Sequence, residues 1–476
     1  MKWNYSRGII LLLVTGSLFR FYGLEHESLA NDELSSCYRS SFSSISSVVS
    51  EGVMPDVHPP GYQILIFFVK QGIGNSPAAL RLPSAIAGVM CIYVLFILGR
   101  KLFSPSVGFL SAAFLTVSPV HIWYSQEARA YSILVLLVTM SVYLLVRMIQ
   151  NLEKESNPGL SNTICFIAVN ILMEYFHYLG LLMAVLASGA ILLFTIFRRS
   201  GLKASVAVCI VSAAAFVPWI PAALKQSGSE NYITTPGISS LQSLYYEYMS
   251  WSRVMQVLFA IIVPAALIVY RRRRSYAETI PLYGLTIVIM WIVLPILTAL
   301  AISFLLVPIV TNRNLLVTLP AFFLLLSVSV HILLKSRLLR FLVGALILLL
   351  LAVQLLFIRK HYTRPHKSQF REVARFTAEN VDPGSDYLIV ASSWNEFYFD
   401  YYFQRYETGL SVDTLATMES EFSAVRYLIE RRDPDAIWFI WGHREPEEAL
   451  LDSMKKYSEE QEYFPFVFAG IWRFSL

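Results

Sequence analysis

Residues 118–149 read SPVHIWYSQEARAYSILVLLVTMSVYLLVRMI. From Tyr131 to Ile149 the only charged side chain is Arg147. A run that long and that apolar matches the roughly 20 residues a helix needs to cross a bilayer core. Just before it stand Gln126, Glu127 and Arg129, and before those Ser118-Pro119 closes another apolar run. Charges at the end of one span and the start of the next cost free energy unless they pair or line a polar cavity. The stretch therefore reads as two spans joined by a polar turn at a membrane surface.

Outward from it the same pattern repeats. Apolar segments fall at approximately 8–24, 78–99, 105–122, 131–149, 162–178, 179–197, 204–222, 252–270, 279–300, 314–334 and 339–358, giving about eleven helical spans. Of the 476 residues 56% are hydrophobic and 15% charged, where a soluble domain carries about 25% charged residues. Lys2 and Arg7 precede the first run, and no small-residue cleavage site follows it, so it reads as an uncleaved span. Cys37, Cys91, Cys165 and Cys209 show neither a disulfide framework nor zinc-ligand spacing. The net charge of +5 matters only through where the cations sit.

Lys and Arg concentrate in the cytoplasmic connections of membrane proteins. Lys2 and Arg7, Arg100 and Lys101, Arg147 and Lys154, Arg198 to Lys203, Arg271 to Arg274, and Lys335 to Arg340 fall on one face. That face, with the N-terminus, is read as cytoplasmic, and the Arg271–Arg274 run suits anionic lipid. Arg359 and Lys360 break the pattern. The first loop, 25–77, and the tail, 359–476, then lie outside the cytoplasm, and residues 1–358 form the membrane module. The loop is too long for a plain connection. Its serine-rich stretch Ser35–Ser50 has apolar residues at helical spacing, and Ile64–Val69 is too short to span and reads as an interfacial helix. The tail carries charged residues and soluble periodicity: strands over Tyr387–Ala391, Ala436–Trp441 and Phe466–Phe474, helices over 369–380 and 418–431. The expected fold is a polytopic α-helical membrane protein with a small C-terminal extracytoplasmic α/β domain.

Several polar residues map to the outer face. Asp32 and Glu33 are either solvated loop carboxylates or a general base that takes a proton from an attacking hydroxyl. Asp56-Val57-His58-Pro59-Pro60-Gly61-Tyr62 holds His58 where two prolines stiffen the backbone, or is simply a helix start. Arg129 is a fixed-charge fork suited to phosphate oxygens, or the partner of Glu127. His177, between Tyr175 and Tyr178, is an interfacial anchor or a ligand. Arg313, within Thr311-Asn312-Arg313-Asn314, is a second phosphate contact or a snorkelling side chain. A carboxylate, a histidine and two arginines from separate connections suggest a hydroxyl nucleophile and an anionic, membrane-embedded ligand.

These stretches resemble the GT-C superfamily of membrane glycosyltransferases, in the bacterial branch related to protein O-mannosyltransferases and lipid A aminoarabinose transferases. The resemblance covers roughly 8–334. It rests on Ser28-Leu29-Ala30-Asn31-Asp32-Glu33, on His58-Pro59-Pro60-Gly61-Tyr62, on Arg81-Leu82-Pro83-Ser84 with Gly88, and on Ser118-Pro119 through Gln126-Glu127-Ala128-Arg129-Ala130-Tyr131. It implies a polyprenyl-phosphate-sugar donor, an acceptor that is a lipid, glycan or protein, and a site in the bacterial inner membrane. Asp32 would be the base, with Glu33 supporting it or touching the acceptor. Arg129, His58 and Arg313 would bind the donor phosphate, supported by Glu127, Gln126, Tyr131, Tyr62 and His177. Relatives often carry Arg-Tyr where this chain has Asn312-Arg313-Asn314. A divalent metal is left open, with Glu127, His58 and His177 as its candidate ligands. No nucleotide cofactor is expected, because no glycine-rich phosphate loop is present, and no nucleic acid partner is expected. The competing readings are a transporter or lipid flippase, which would place charges at the midplane and show internal repeats, and a membrane anchor displaying the tail as a binding module.

Overall fold

The computed structural model describes residues 5–155, 157–227, 233–272, 280–390, 395–410, 413–414 and 422–476. Arg273, Arg274, Ala391 and the start of the helix expected at 418 lie outside the described residues. Contacts divide the chain into two units. The first comprises Met1–Tyr22, Phe42–Ile73 and Arg81–Lys360, the second Gly23–Ser41, Gly74–Leu80 and His361–Leu476.

Every apolar segment read from the sequence falls on a helix of the first unit or on Pro77–Leu102. Eight described helices are long and apolar enough to cross a membrane, and nine if the pair Pro105–Val117 and Pro119–Ser125, bent by 63°, counts as one span. The remaining two, Tyr5–Phe21 and Leu160–Phe176, have 17 residues each, about 26 Å at 1.5 Å per residue. Helix starts follow local chemistry. The hydroxyls of Ser104 and Ser336 accept from the N–H groups of Val107 and Leu339, and Pro105 occupies a first-turn position where its missing N–H costs nothing. Between Pro60 and Ile73, Gly61–Gly72 forms a 12-residue helix that buries Tyr62, Gln63, Ile66, Phe67 and Val69 and leaves Phe68 exposed. It is too short to span, and its one-sided burial suits the interfacial position expected for it.

Small residues set the closest approaches. A Cβ built on Gly108 would lie 2.4 Å from the Phe96 carbonyl oxygen, and one on Gly99 would lie 2.7 Å from the Gly108 Cα. The helices Pro77–Leu102 and Pro105–Val117 thus pack backbone to backbone, as membrane helices do where glycine permits.

The bend after Val117 has a polar cost. Pro119 has no N–H to give, so the last carbonyls of Pro105–Val117 lose helical partners. Arg20, fully buried near the end of Tyr5–Phe21, supplies donors instead. Its Nη2 reaches the Leu115 oxygen at 3.0 Å and its Nη1 the Thr116 oxygen at 3.2 Å. Nη2 also lies 2.8 Å from His121 Nδ1, which must accept because a guanidinium only donates. Gly88 makes room for this bend: a Cβ there would sit 2.2 Å from Ser125 Oγ and 2.9 Å from Arg20 Nε.

The second unit holds a five-stranded sheet. Its strands are β1 (Asp386–Val390), β2 (Asp413–Thr414), β3 (Ala436–Gly442), β4 (Glu460–Phe466) and β5 (Ala469–Ser475), in the order β2-β1-β3-β5-β4. β1 runs parallel to β2 and β3, while β5 is antiparallel to β3 and β4. One face packs Tyr387, Ile389, Ile437, Phe439 and Phe474 against Val425 and Met454 from the helices. The strand expected over Phe466–Phe474 falls mostly on β5 and is the second arm of a hairpin whose first arm, β4, went unread. The turn falls at Val467-Phe468, with Phe468 at φ +46°. Aromatic residues on both sides of the turn hid it, since no glycine or asparagine occupies that position. Two helices, Glu396–Arg405 and Glu448–Tyr457, also went unread.

Replacing Arg20 by alanine leaves the Leu115 and Thr116 carbonyls and His121 without their cation. The expected loss is about 2–4 kcal/mol, seen as a lower midpoint in thermal unfolding of detergent-purified protein. An unchanged midpoint would remove Arg20 from this role.

Candidate active site

The turn from Gln126 to Ala130 is fixed from both sides. Gln126 Nε2 donates to the carbonyl oxygens of Phe19 at 3.2 Å, Arg20 at 3.3 Å and Tyr22 at 2.7 Å. It therefore caps the C-terminal end of the first helix. The Arg129 N–H donates to the Glu127 oxygen at 2.8 Å, and Ser84 Oγ donates to the Arg129 oxygen at 2.9 Å. Ser132 Oγ donates back to the Ser84 oxygen at 2.9 Å. Arg129 is 7% exposed and Glu127 8%, so this guanidinium is held in place by its own backbone.

His58 orients it further. Arg129 Nη2 lies 3.3 Å from His58 Nε2, and His58 Nδ1 lies 3.3 Å from Asp56 Oδ2. Since arginine only donates, Nε2 is the acceptor and the ring proton sits on Nδ1, pointing at the carboxylate. Gln63 Nε2 adds a contact to the same Asp56 oxygen at 3.4 Å. Gln226 Nε2 holds the backbone here through the oxygens of Val53 at 2.8 Å and His58 at 3.3 Å.

His177 is buried and its Nδ1 accepts the Leu179 N–H at 3.0 Å, capping the helix Tyr178–Arg198. Its ring meets those of His58 at 5.5 Å and Tyr131 at 5.8 Å between centroids. Burial first, then the neighbouring His58, Arg129 and Arg313, hold its pKa well below the usual 6.5. It is a neutral cap at the wall of a cleft, whose lining is His58, Tyr62, Gln63, Arg129, Ala130, Tyr131, Phe176 and His177.

Both candidate arginines face one ring. The Arg129 guanidinium carbon lies 5.9 Å from the buried Tyr131 centroid and that of Arg313 lies 5.8 Å from it. Tyr124 meets Tyr131 edge-on at 5.4 Å. Beyond it lies a second acidic and basic pair that sequence reading missed. Glu247, on the helix Ile238–Tyr248, is hydrogen-bonded to Asn312 and faces Arg359. Burial raises its carboxyl pKa, while Asn312 and Arg359 lower it. Burial in turn lowers the pKa of Arg359, and Glu247 and Tyr124 raise it. The cation that broke the charge pattern along the sequence is thus a partly buried neighbour of this cluster. Asn312 Nδ2 donates to Ser243 Oγ at 2.8 Å, placing the residue before Arg313.

The structure brings Arg129, His58, Tyr131, Tyr62, His177 and Arg313 into the first unit, together with Glu127 and Gln126. Asp32 and Glu33 belong to the second unit, in the first turn of Asn31–Arg39, where a helix favours carboxylates. Asp32 is half-buried and Glu33 fully buried. Glu33 Oε2 accepts from the Ala30 N–H at 2.9 Å and from Lys367 Nζ at 3.0 Å. Among the described residues no three His, Cys, Asp or Glu side chains converge to hold a metal ion. Both ring nitrogens of His58 and the Nδ1 of His177 are already engaged. Among the described residues Glu127, His58 and His177 therefore do not converge as a ligand set.

The fold is of the GT-C type, the fold of ArnT and of the archaeal oligosaccharyltransferase. The chain is similar in fold to ArnT, and part of it is similar in sequence to the O-mannosyltransferases. Residues 57–223 match the family model described as dolichyl-phosphate-mannose-protein mannosyltransferase. ArnT from Cupriavidus metallidurans in the apo state superposes with a TM-score of 0.57 at 10% identity, over 99% of this chain and 98% of that one. The same enzyme bound to undecaprenyl phosphate gives 0.57 at 10% identity, over 98% and 97%. The oligosaccharyltransferase of Archaeoglobus fulgidus in the apo form gives 0.52 at 12% identity, over 92% of this chain and 69% of that one. No curated protein sequence matches the chain.

The depressed pKa of His177 sets a pH dependence. Below pH 6.5 the unfolded chain takes up a proton that the folded ring resists. Stability from this group is complete above pH 6.5 and falls as pH drops below it. Wild type should lose more thermal stability between pH 7.5 and pH 5 than His177→Asn, which keeps a capping side chain but cannot titrate. Equal losses would show that His177 does not govern the acid limb.

Proposed function

We propose that the chain moves a sugar from a polyprenyl-phosphate donor to a hydroxyl acceptor at the extracytoplasmic face of the bacterial inner membrane, with inversion at the anomeric carbon. The observation that carries this reading is the pair Arg129 and Arg313 facing the one Tyr131 ring, beside a cleft walled by neutral histidines. Two fixed cations facing one ring in an apolar protein suit a phosphate whose charge grows as the glycosidic bond breaks. Donors already aimed at that charge stabilise the transition state more than the ground state. His58 orients Arg129, and Asp56 orients His58. Relatives of this fold supply the lipid: ArnT has been captured with undecaprenyl phosphate.

In this mechanism the acceptor oxygen attacks the anomeric carbon as the bond to the phosphate oxygen opens. Asp32 removes the acceptor proton, and the lipid phosphate leaves as the anion neutralised by Arg129 and Arg313. The transition state has oxocarbenium character, with nucleophile and leaving group on opposite faces of the sugar. The placement of the basic clusters supports a cytoplasmic N-terminus and an extracytoplasmic tail.

The test is sugar transfer by purified protein in detergent from a panel of undecaprenyl-phosphate-linked sugars, with lipid, glycan and peptide acceptors. Asp32→Asn should lose about 10²–10⁴-fold in rate, and Arg129→Ala about 10²–10³-fold. Wild-type rates in Asp32→Asn would remove the proposed base.

A further inference from the structure

The second unit is assembled around a piece of the first loop. Its residues 23–41 are gripped by the tail almost residue by residue. The Arg371 guanidinium donates to the Glu25 oxygen at 2.8 Å and the His26 oxygen at 2.6 Å, and its backbone N–H donates to Ser28 Oγ at 3.1 Å. The His366 N–H donates to Glu27 Oε1 at 2.5 Å. The Tyr402 hydroxyl accepts the Leu29 N–H at 2.8 Å and lies 3.1 Å from Ser28 Oγ. The last of these contacts is ionic: Lys367 Nζ to Glu33 Oε2 at 3.0 Å, with the two side chains only 5% and 0% exposed.

A buried ion pair is a poor way to gain stability. Removing both charges from water costs several kcal/mol each, and apolar residues of the same volume often do as well. What a buried pair does supply is a fixed geometry. Here the same Glu33 oxygen also accepts the Ala30 N–H, so Lys367 and the first turn of Asn31–Arg39 are tied to a single atom. That turn carries Asp32.

We infer that Lys367 is a positioning residue: through Glu33 it fixes the helical turn that presents Asp32, which makes the C-terminal segment part of the catalytic apparatus. The inference rests on the reading of Asp32 as the base. Lys367 acts through its contact with Glu33. Its effect is on where the carboxylate of its neighbour's neighbour stands.

The experiment is a kinetic comparison of Lys367→Met, the double variant Glu33→Gln with Lys367→Met, and Asp32→Asn, in the full-length protein with its donor varied. Lys367→Met takes the cation away from the buried Glu33 carboxylate, so the turn shifts. The kcat should fall on the order of 10²-fold, as small misplacements of a catalytic group do, with KM for the lipid donor near the wild-type value. In the double variant both members of the pair are neutral, and the amide oxygen of the new side chain still accepts the Ala30 N–H. Its kcat should return to within about tenfold of wild type, one decade being about 1.4 kcal/mol of barrier. The double variant also guards against misfolding of the single one. Wild-type kcat in Lys367→Met, or kcat, KM and melting temperature falling together in both variants, would overturn the positioning role and leave a structural staple. Activity retained in Asp32→Asn would instead strike the underlying reading.

Discussion

A backbone carbonyl inside a bilayer has no water to turn to, and the first unit is organised by that constraint. Helices satisfy it along their length. The break at Ser118-Pro119 violates it, and Arg20 repairs it from another helix with donors to Leu115 and Thr116. The repair brings the first helix against the bent pair. Gln126 then completes the joint by taking the carbonyls of Phe19, Arg20 and Tyr22. Only after these demands are met does the chain turn through Glu127 and Ala128 to place Arg129. The position of the site arginine is thus a consequence of carbonyls that had to be paired two turns earlier.

Around Arg129 the charge arrangement is economical. His58 must be neutral to accept from a guanidinium, and His177 is kept neutral by burial. Arg129 lines the cleft among these neutral rings, and Tyr131 presents its π face both to it and to Arg313. Histidines protonated at the same place would add like charge and repel the arginines. Glu247 and Arg359 extend the polar surface past Tyr124, as a carboxylate and a guanidinium each made less comfortable by burial and more so by the other.

The spans were legible because apolar runs of the required length have few alternatives. The residues around Asp32, His58, Arg129 and Tyr131 stood out in the sequence as charges and prolines at membrane boundaries, and His58, Arg129 and Tyr131 line one cleft of the first unit. Arg20 was not: it sits at the end of an apolar run and looks like a flanking cation, and nothing in its own sequence neighbourhood shows that a kink 96 residues away needs it. Glu247 and Arg359 were hidden for the same reason, since their pairing joins distant elements. Gln126 was read as support for the site, while its amide is spent on a helix end. Lys367 lies in a stretch of ordinary tail composition. In the sheet, strand propensity on both sides of Val467-Phe468 started the expected strand before the turn, while β4 itself, rich in charged residues at its start, went unread.

The second unit draws on residues 23–41, 74–80 and 361–476. A chain made from its N-terminus releases the first two pieces early and the third last. Loop residues such as Leu29 and Leu34, fully buried in the finished protein, have no partner until the final span has been inserted and the tail has followed it. Contacts this distant in sequence form slowly and leave apolar surface exposed meanwhile. The carboxylate at position 32 is consequently set in place among the last events of biogenesis. On the proposed reading of Asp32 as the base, a chain interrupted at any earlier point would be inserted in the membrane yet inactive, so the order of synthesis itself would keep a partly made protein silent.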